Sequence, residues 1–429
     1  MTLSTRDHLG RPVVAVTGAG LVTPLGIGVA ESWAGLVAGR SGIRRITRFP
    51  VDHLKTAIAG FVDLPEEEEA GEPLPAAARV ERFAALAAAE ALGGAGFGDP
   101  FPGPLFLGMP PVEVAWPLRL DAARKAAEGG GGPLRYPAMA AALGERRDAF
   151  EGVMFGGVAE RLAARFGARG SPVTLSTACA TGASSIQLGV EAIQRGEARA
   201  ALCIGSEGTV EPESLIRFSL LSALSTRNEE PARASRPFEK TRDGFVMAEG
   251  AAALVLENLE DARARGAEVL GLVLGCGERA DSFHRTRSNP SGDAIVRAMR
   301  SAIADAGLEP GAIGYVNAHG TGTPENDKME TLGMRAVFGN APPPISSNKS
   351  MIGHTLSAAG AIEAVFSLLS MRDGVLPPTI NHETPDPAIG LDVVPNEARE
   401  AKVGRVLSNS FGFGGQNVCL VLGASPPAG

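Results

Sequence analysis

Cysteine is scarce in this chain, four residues in 429, and the four show no paired spacing. A disulfide framework is thereby excluded, and a reducing compartment is expected. Aromatic residues make up only 5%, so the interior must close mainly through small and aliphatic side chains. There is no Lys/Arg run, and the formal net charge is −8, which argues against general nucleic-acid binding. No window of about 18 continuous apolar residues occurs, so no transmembrane helix is expected. Asp7 and Arg11 stand where a secretory signal would need an unbroken apolar stretch. These absences together predict a soluble, cytoplasmic protein without membrane insertion.

What is present is glycine, 55 residues, in a composition that is 44% hydrophobic. That combination reads as an α/β protein with closely approaching backbones. The length suits two to four average domains, or two large halves sharing one core. Val13 to Thr17 reads as a strand entering GAGLVTPLG, with a helix over 30–38. The GAG is a weak echo of a dinucleotide fingerprint, lacking the full glycine spacing and a later acidic partner. Residues 62–75 are acidic and proline-rich and read as a surface loop, and 76–92 as an alanine-rich helix. From 101 to 132, prolines and a GGGG run suggest an excursion over the core. A strand at 173–175, a helix after Cys179 and strands at 200–205 and 250–259 follow, with a charged helix at 260–266. A second set begins at Glu268, with helices at 294–306, 330–338 and 357–371 and strands at 406–408 and 418–422. The coarse plan occurs twice, which suggests a duplicated α/β unit.

Cys179, in VTLSTACATGASSIQLGVEAI, lies between a strand end and a helix of small residues. A thiol there feels the positive end of the helix macrodipole, which favours the nucleophilic thiolate. Most free cysteines are inert small hydrophobes, and Cys203, Cys276 and Cys419 fit that description in the apolar runs AALCIG, LVLGCG and NVCLVLG. Three later segments combine reactive side chains with turn glycines: YVNAHGTGTPENDKME around His319, SSNKSMIGHTLSAAGAIEA with Lys349 and His354, and LSNSFGFGGQNV with Phe411 and Phe413. A lone histidine is more often structural and a lone lysine solvated. Two of only six histidines beside turn glycines nevertheless favour function, because α/β enzymes place chemistry at loop ends of strands. Neither CxxC nor HExxH spacing is present, so no metal is expected at Cys179, His319 and His354.

In this order the segments resemble the β-ketoacyl-acyl carrier protein synthases, elongating condensing enzymes of fatty-acid synthesis, in their KAS II branch. The likeness is strongest in TACATG, ALSTRN, SRPFEKTRDGFVMAEGAA, NAHGTGTPENDK, KSMIGH and NSFGFGGQN. It implies a thiolase fold, a five-layered αβαβα sandwich of two duplicated halves, here 1–266 with the nucleophile and 267–429 with the histidines and lysine. It further implies a homodimer, an acyl carrier protein partner, and no cofactor beyond the phosphopantetheine that carries the substrate. By motif, Cys179 matches the acyl-accepting nucleophile, His319 and His354 the two histidines, and Lys349 the lysine that supports them electrostatically. Thr321 and Thr323 match threonines that contact the phosphopantetheine arm, and Phe411, in NSFGFGGQN, is expected with them among the substrate-binding residues. Phe413 matches the gate beside the acyl pocket, whose backbone amide joins that of Cys179 in an oxyanion hole. Decarboxylative Claisen condensation suits such a set: paired N–H groups stabilise the developing oxyanion, two histidine N–H groups stabilise the enolate, and a covalent acyl-enzyme forms.

Departures from the family pattern are Gly322 for Ser, Gln416 for Thr, GSEG at Gly205 for GGAE, and the divergent LGMPPVEVAWPLRL with its GGGG loop. The last puts ordinary chain-length preference in doubt. For a carrier-docking surface the expected helix offers only Arg79 and Arg82 around Glu81, with Arg217, Arg227 and Arg233 as further candidates. Alternatives are a polyketide-type ketosynthase and a non-catalytic chain-length-factor-like partner, although the latter typically lacks the cysteine. A degradative thiolase would need a second cysteine in a glycine-flanked turn, unlike Cys419, and the glycine-rich second half disfavours a Cys-His-Asn hydrolase.

Overall fold

A computed structural model describes residues 4–65, 74–127, 136–144 and 147–425. Its first run of strands is β1 (Val14–Thr23), β2 (Leu105–Gly108), β3 (Val173–Leu175), β4 (Ala200–Glu207) and β5 (Gly250–Asn258), in spatial order β1-β5-β4-β2-β3. The second run is β6 (Gly271–Ala280), β7 (Tyr315–Asn317), β8 (Ile345–Ser346), β9 (Arg405–Phe411) and β10 (Gln416–Ala424), in the order β6-β10-β9-β7-β8. In each run the first three neighbours pair antiparallel and the last three parallel. The order and the sense of pairing are therefore the same in both halves. Val14–Val16 pair with Gly271–Val273, and this short contact makes the hydrogen bonding continuous from one run to the other.

Among the helices on this frame are α1 (Val29–Val37), α2 (Ala76–Ala95), α3 (Trp116–Ala127), α4 (Thr181–Gln194), α5 (Pro212–Leu220), α6 (Asp293–Asp305), α7 (Pro324–Phe338) and α8 (Ala359–Asp373). α2 covers the outer face of the first run and α6 that of the second, while α4 and α8 pack on each other between the two. This is the five-layered αβαβα arrangement expected of the thiolase fold. α8 is buried on every side from Ala359 to Met371, as a helix enclosed by two sheets must be. α4 and α8 cross at backbone range: a Cβ on Gly182 would lie 2.6 Å from the Ala361 nitrogen, and one on Gly360 2.6 Å from the Ala183 nitrogen.

Several expectations change. Gly18 and Gly20 face the backbone carbonyls of Ala91 and Ala87 on α2, with no room for a Cβ, so the GAG is there for helix-on-strand packing. The stretch read as an excursion from residue 101 begins with β2, an internal strand between β4 and β3. Prolines 102, 104, 110 and 111 hide it in the sequence. Its last part, 128–132, lies outside the described residues, as does 66–73 of the acidic loop, while Val62 and Leu64 at that loop's start are buried. α7 starts at Pro324, six residues earlier than expected, because the Thr323 hydroxyl accepts the Asn326 N–H at 3.3 Å and caps it.

Candidate functional site

β3 runs into a tight turn in which Thr181 is the staple. Its hydroxyl accepts the Thr177 N–H at 2.8 Å and donates to the Ala178 carbonyl at 2.6 Å. Ala178 is held at φ 50°, a left-handed conformation that costs a residue with a side chain about 1 kcal/mol or more and marks a position fixed by its surroundings. The result places Cys179 immediately before α4, 6% exposed, with the backbone N–H of Phe413 and its own N–H directed at the sulfur. Burial pushes the thiol up to about 11. The Phe413 amide and the Lys349 ammonium oppose that shift, and Glu207 adds to it. Desolvation therefore outweighs the macrodipole, and Cys179 rests as a thiol at neutral pH. Cys203 and Cys419 are fully buried, and desolvation raises their thiols and that of Cys276 further.

The second half supplies the partners. His319 follows β7 in a loop clamped by Glu330, whose carboxylate accepts the N–H of His319 at 2.9 Å, of Gly320 at 2.7 Å and the Asn409 amide at 3.0 Å. His354 is fixed by its N–H to the Val246 carbonyl at 2.7 Å. The two rings meet edge to face at 5.4 Å between centroids, with Phe245 against His354 and Phe411 against His319. Burial, and then the Lys349 charge, lowers both histidines well below their ordinary range, so both are neutral. Lys349 is 1% exposed and pairs with Glu363, whose carboxyl burial pushes up to about 7 against the pull of that ammonium.

Cys179 Sγ and one ring nitrogen from each histidine lie within 4.8 Å of one another, a closeness that sequence spacing did not reveal. The Leu356 N–H donates to His354 Nδ1 at 3.2 Å, which leaves the proton of the neutral ring on Nε2. An N–H there can donate to an anionic oxygen but has no lone pair for a cation. The set thus fits a developing oxyanion and does not fit a zinc ion.

A cavity of about 610 Å³ leads to these groups, lined by Cys179, His319, His354, Thr321, Thr323, Phe411 and Phe413. The Thr321 and Thr323 hydroxyls bond each other at 2.9 Å. The Phe413 ring packs 6.5 Å from Phe218 of α5. Lys349 stands behind the histidines, and every other predicted site residue reaches the cavity. Sequence reasoning missed Glu330, Glu363, Glu207, Phe218 and Asp327, which accepts the Phe238 N–H at 2.7 Å and the Gly322 N–H at 3.2 Å. The carboxylates Asp327 and Glu330, at the end of the His319 segment YVNAHGTGTPENDKME, were the available signal.

Of the arginines expected at a carrier-docking surface, Arg79 does not reach the surface. Arg79 is 1% exposed, held by Glu249 and the Gly208 and Leu74 carbonyls. Arg217 pairs with Glu113 and Glu213, Arg227 with Asp243, and Arg233 with Glu230 and Glu383.

Residues 11–101 and 129–262 match the family model described as the beta-ketoacyl synthase N-terminal domain, and 270–383 match that of the C-terminal domain. The first match skips 102–128, which contains β2 and α3. The chain is 36% identical to a 3-oxoacyl-acyl-carrier-protein synthase 2 of Coxiella burnetii, over 95% of this chain and 98% of the relative. It is 38% identical to the protein of the same name from a Synechocystis species, over 96% and 98%. A solved type II polyketide acyl-carrier protein in complex with its ketosynthase bound to the hexaketide superposes with a TM-score of 0.84 at 31% identity, covering 97% of this chain and 100% of the other.

Proposed function

We propose, from the premise that the chain belongs to the β-ketoacyl synthase family and is an acyltransferase catalysing the condensation of a β-ketoacyl-acyl carrier protein synthase, that Cys179 carries the growing acyl group. The observation behind this reading is the convergence of Cys179 from the first half, and His319 and His354 from the second, on one cavity with two amides facing the sulfur. In the first half-reaction Sγ attacks the thioester carbonyl while the N–H groups of Phe413 and Cys179 hold the oxyanion. The acyl C–S bond to the carrier breaks, and the thiol proton leaves with the carrier's sulfur. In the second, a malonyl thioester loses CO₂, and the resulting enolate oxygen accepts hydrogen bonds from the two neutral histidines. Its carbon attacks the acyl carbonyl, the C–S bond to Cys179 breaks, and Sγ leaves as a thiolate that takes up a proton from solvent. Lys349 keeps both imidazoles in their neutral, donating form. No metal or nucleotide takes part, and the substrate rides on phosphopantetheine.

Peptide mass mapping after incubation with acyl-loaded carrier protein should place the thioester on Cys179, and label on Cys203, Cys276 or Cys419 would sink the assignment. Run with acyl chains of graded length, the same assay tests the gate. Phe413→Ala removes the ring but keeps the backbone amide, so relative acylation rates across chain lengths should change while malonyl decarboxylation changes little. Unchanged relative rates would leave Phe413 a packing residue. The polyketide neighbour keeps polyketide-type elongation open as the product class.

The carrier protein is taken to be an acyl carrier protein, and the chain to act in the cytoplasm as two thiolase-like halves, 1–266 and 267–429. Among the described residues no helix is long and apolar enough to cross a membrane. A homodimer is supported by β3, an edge strand with Val173 39% exposed. Trp116, Tyr136, Phe150 and Met154 are likewise exposed on the segments before it. Such an edge favours pairing with a second copy. Sedimentation should return twice the chain mass of 44.0 kDa, and a species of one chain mass would refute the dimer.

A further inference from the structure

The overall charge of −8 repels an anionic substrate, so binding one requires a local reversal of potential. Of the basic side chains expected to supply it, Arg79 is buried, and Arg217, Arg227 and Arg233 are paired with carboxylates. Arg285, Arg287 and Lys328 behave differently. All three are exposed at the mouth of the 610 Å³ cavity, and among the described residues none of them forms an ion pair. Lys328 stands on α7, and the loop that carries Arg285 and Arg287 is held in place. Asp281 accepts the Phe283 N–H at 3.0 Å and the Asn289 N–H at 2.7 Å, and the Arg285 carbonyl accepts the Gly414 N–H at 2.7 Å. The two guanidinium groups are thus presented from a backbone tied to the residue next to Phe413. Asp281 and Glu325 are the carboxylates among the described residues that line this mouth, and the Asp281 oxygens accept those amides. Thr321 and Thr323 lie in the same cavity as the mouth and the Cys179 end.

We propose that Arg285 and Arg287, with Lys328, form a subsite for the phosphate of a phosphopantetheine thioester, holding the arm's outer end while its thioester reaches Cys179. The inference rests on the condensing reaction assigned above. Guanidinium groups match phosphate oxygens bidentately, and two such groups with an ammonium set both affinity and register. The phosphate can belong to a carrier-protein arm or to coenzyme A, since both present the same group at that distance from the sulfur.

The test is the second-order rate of Cys179 acylation, followed by intact mass spectrometry, with hexanoyl-pantetheine, hexanoyl-4′-phosphopantetheine, hexanoyl-coenzyme A and hexanoyl carrier protein. The wild-type enzyme should prefer the phosphorylated over the unphosphorylated pantetheine by about 30-fold, and added salt should erode the preference. In R285E/R287E the ratio should fall to about 1, with R285Q/R287Q between. R233E, whose native side chain is already paired with carboxylates, should keep the wild-type ratio. Parallel losses with the carrier protein and coenzyme A support recognition of the shared phosphate. A loss confined to coenzyme A would assign the cations to its nucleotide phosphates and overturn the inference. A wild-type ratio near 1, or one unchanged in R285E/R287E, overturns it alone. A wild-type enzyme acylated by none of the four overturns the condensing assignment and this inference with it.

Discussion

Cys179→Ala is expected to lose condensation by about 10⁴-fold or more, because the covalent intermediate cannot form. It should still decarboxylate a malonyl thioester, since the rings that hold the enolate do not depend on the sulfur for their position: His354 is fixed by Val246 and Leu356, and His319 by the Glu330 clamp. His319→Ala and His354→Ala should show the converse. Each should lose decarboxylation and condensation by about 100-fold or more, the scale for removing one positioned donor, while continuing to accept acyl groups on Cys179. Isotopic CO₂ release and acyl-enzyme mass spectrometry read the two half-reactions separately. Normal decarboxylation in both histidine variants would refute their role, and any acyl label in Cys179→Ala would refute the nucleophile.

Lys349→Met should destabilise the protein by about 3–5 kcal/mol, because Glu363 would be left buried without its counter-charge. The pair sits in the interior, at 1% side-chain exposure for both partners, so solvent cannot screen the loss. Lys349→Met/Glu363→Gln should recover most of that stability, as replacing both members of a buried pair is often nearly neutral. Urea unfolding measures the cycle, and a single-variant loss below about 1 kcal/mol would place the pair with exposed salt bridges. Activity should separate from stability here. Without the ammonium, the depression of both histidines weakens. The acid limb of the rate profile should move to higher pH in the folded double variant, because imidazolium forms sooner.

The parts of the site carried by short contiguous motifs were legible in the sequence. Cys179 follows from its place at a strand end before a small-residue helix, and His319 and His354 from their turn glycines, whereas the roles of Lys349, Phe411 and Phe413 came from the resemblance of their motifs to the family's. Residues whose state depends on distant partners were not legible. Arg79 looks like a surface charge on an alanine-rich helix, yet Glu249, 170 positions away, draws it inside. Glu330 and Glu363 read as ordinary helical charges until β9 and Lys349 close over them. β2 was hidden for a different reason: four apolar residues between prolines carry no readable period, and only parallel pairing to β4 and β3 makes them a strand. The raised Cys179 thiol follows from burial, which no spacing encodes.

The crossing of α4 and α8 at Gly182 and Gly360 bears on how the enzyme comes into being. The nucleophile lies in the turn between the fifth-placed strand of one run and α4, and α8 follows the equivalent strand of the other, so the reacting groups come from both runs. A half that folds early owns either a sulfur without donors or donors without a sulfur. Catalytic activity during refolding should therefore report the packing of α4 on α8, and it should appear in a later kinetic phase than most of the secondary structure.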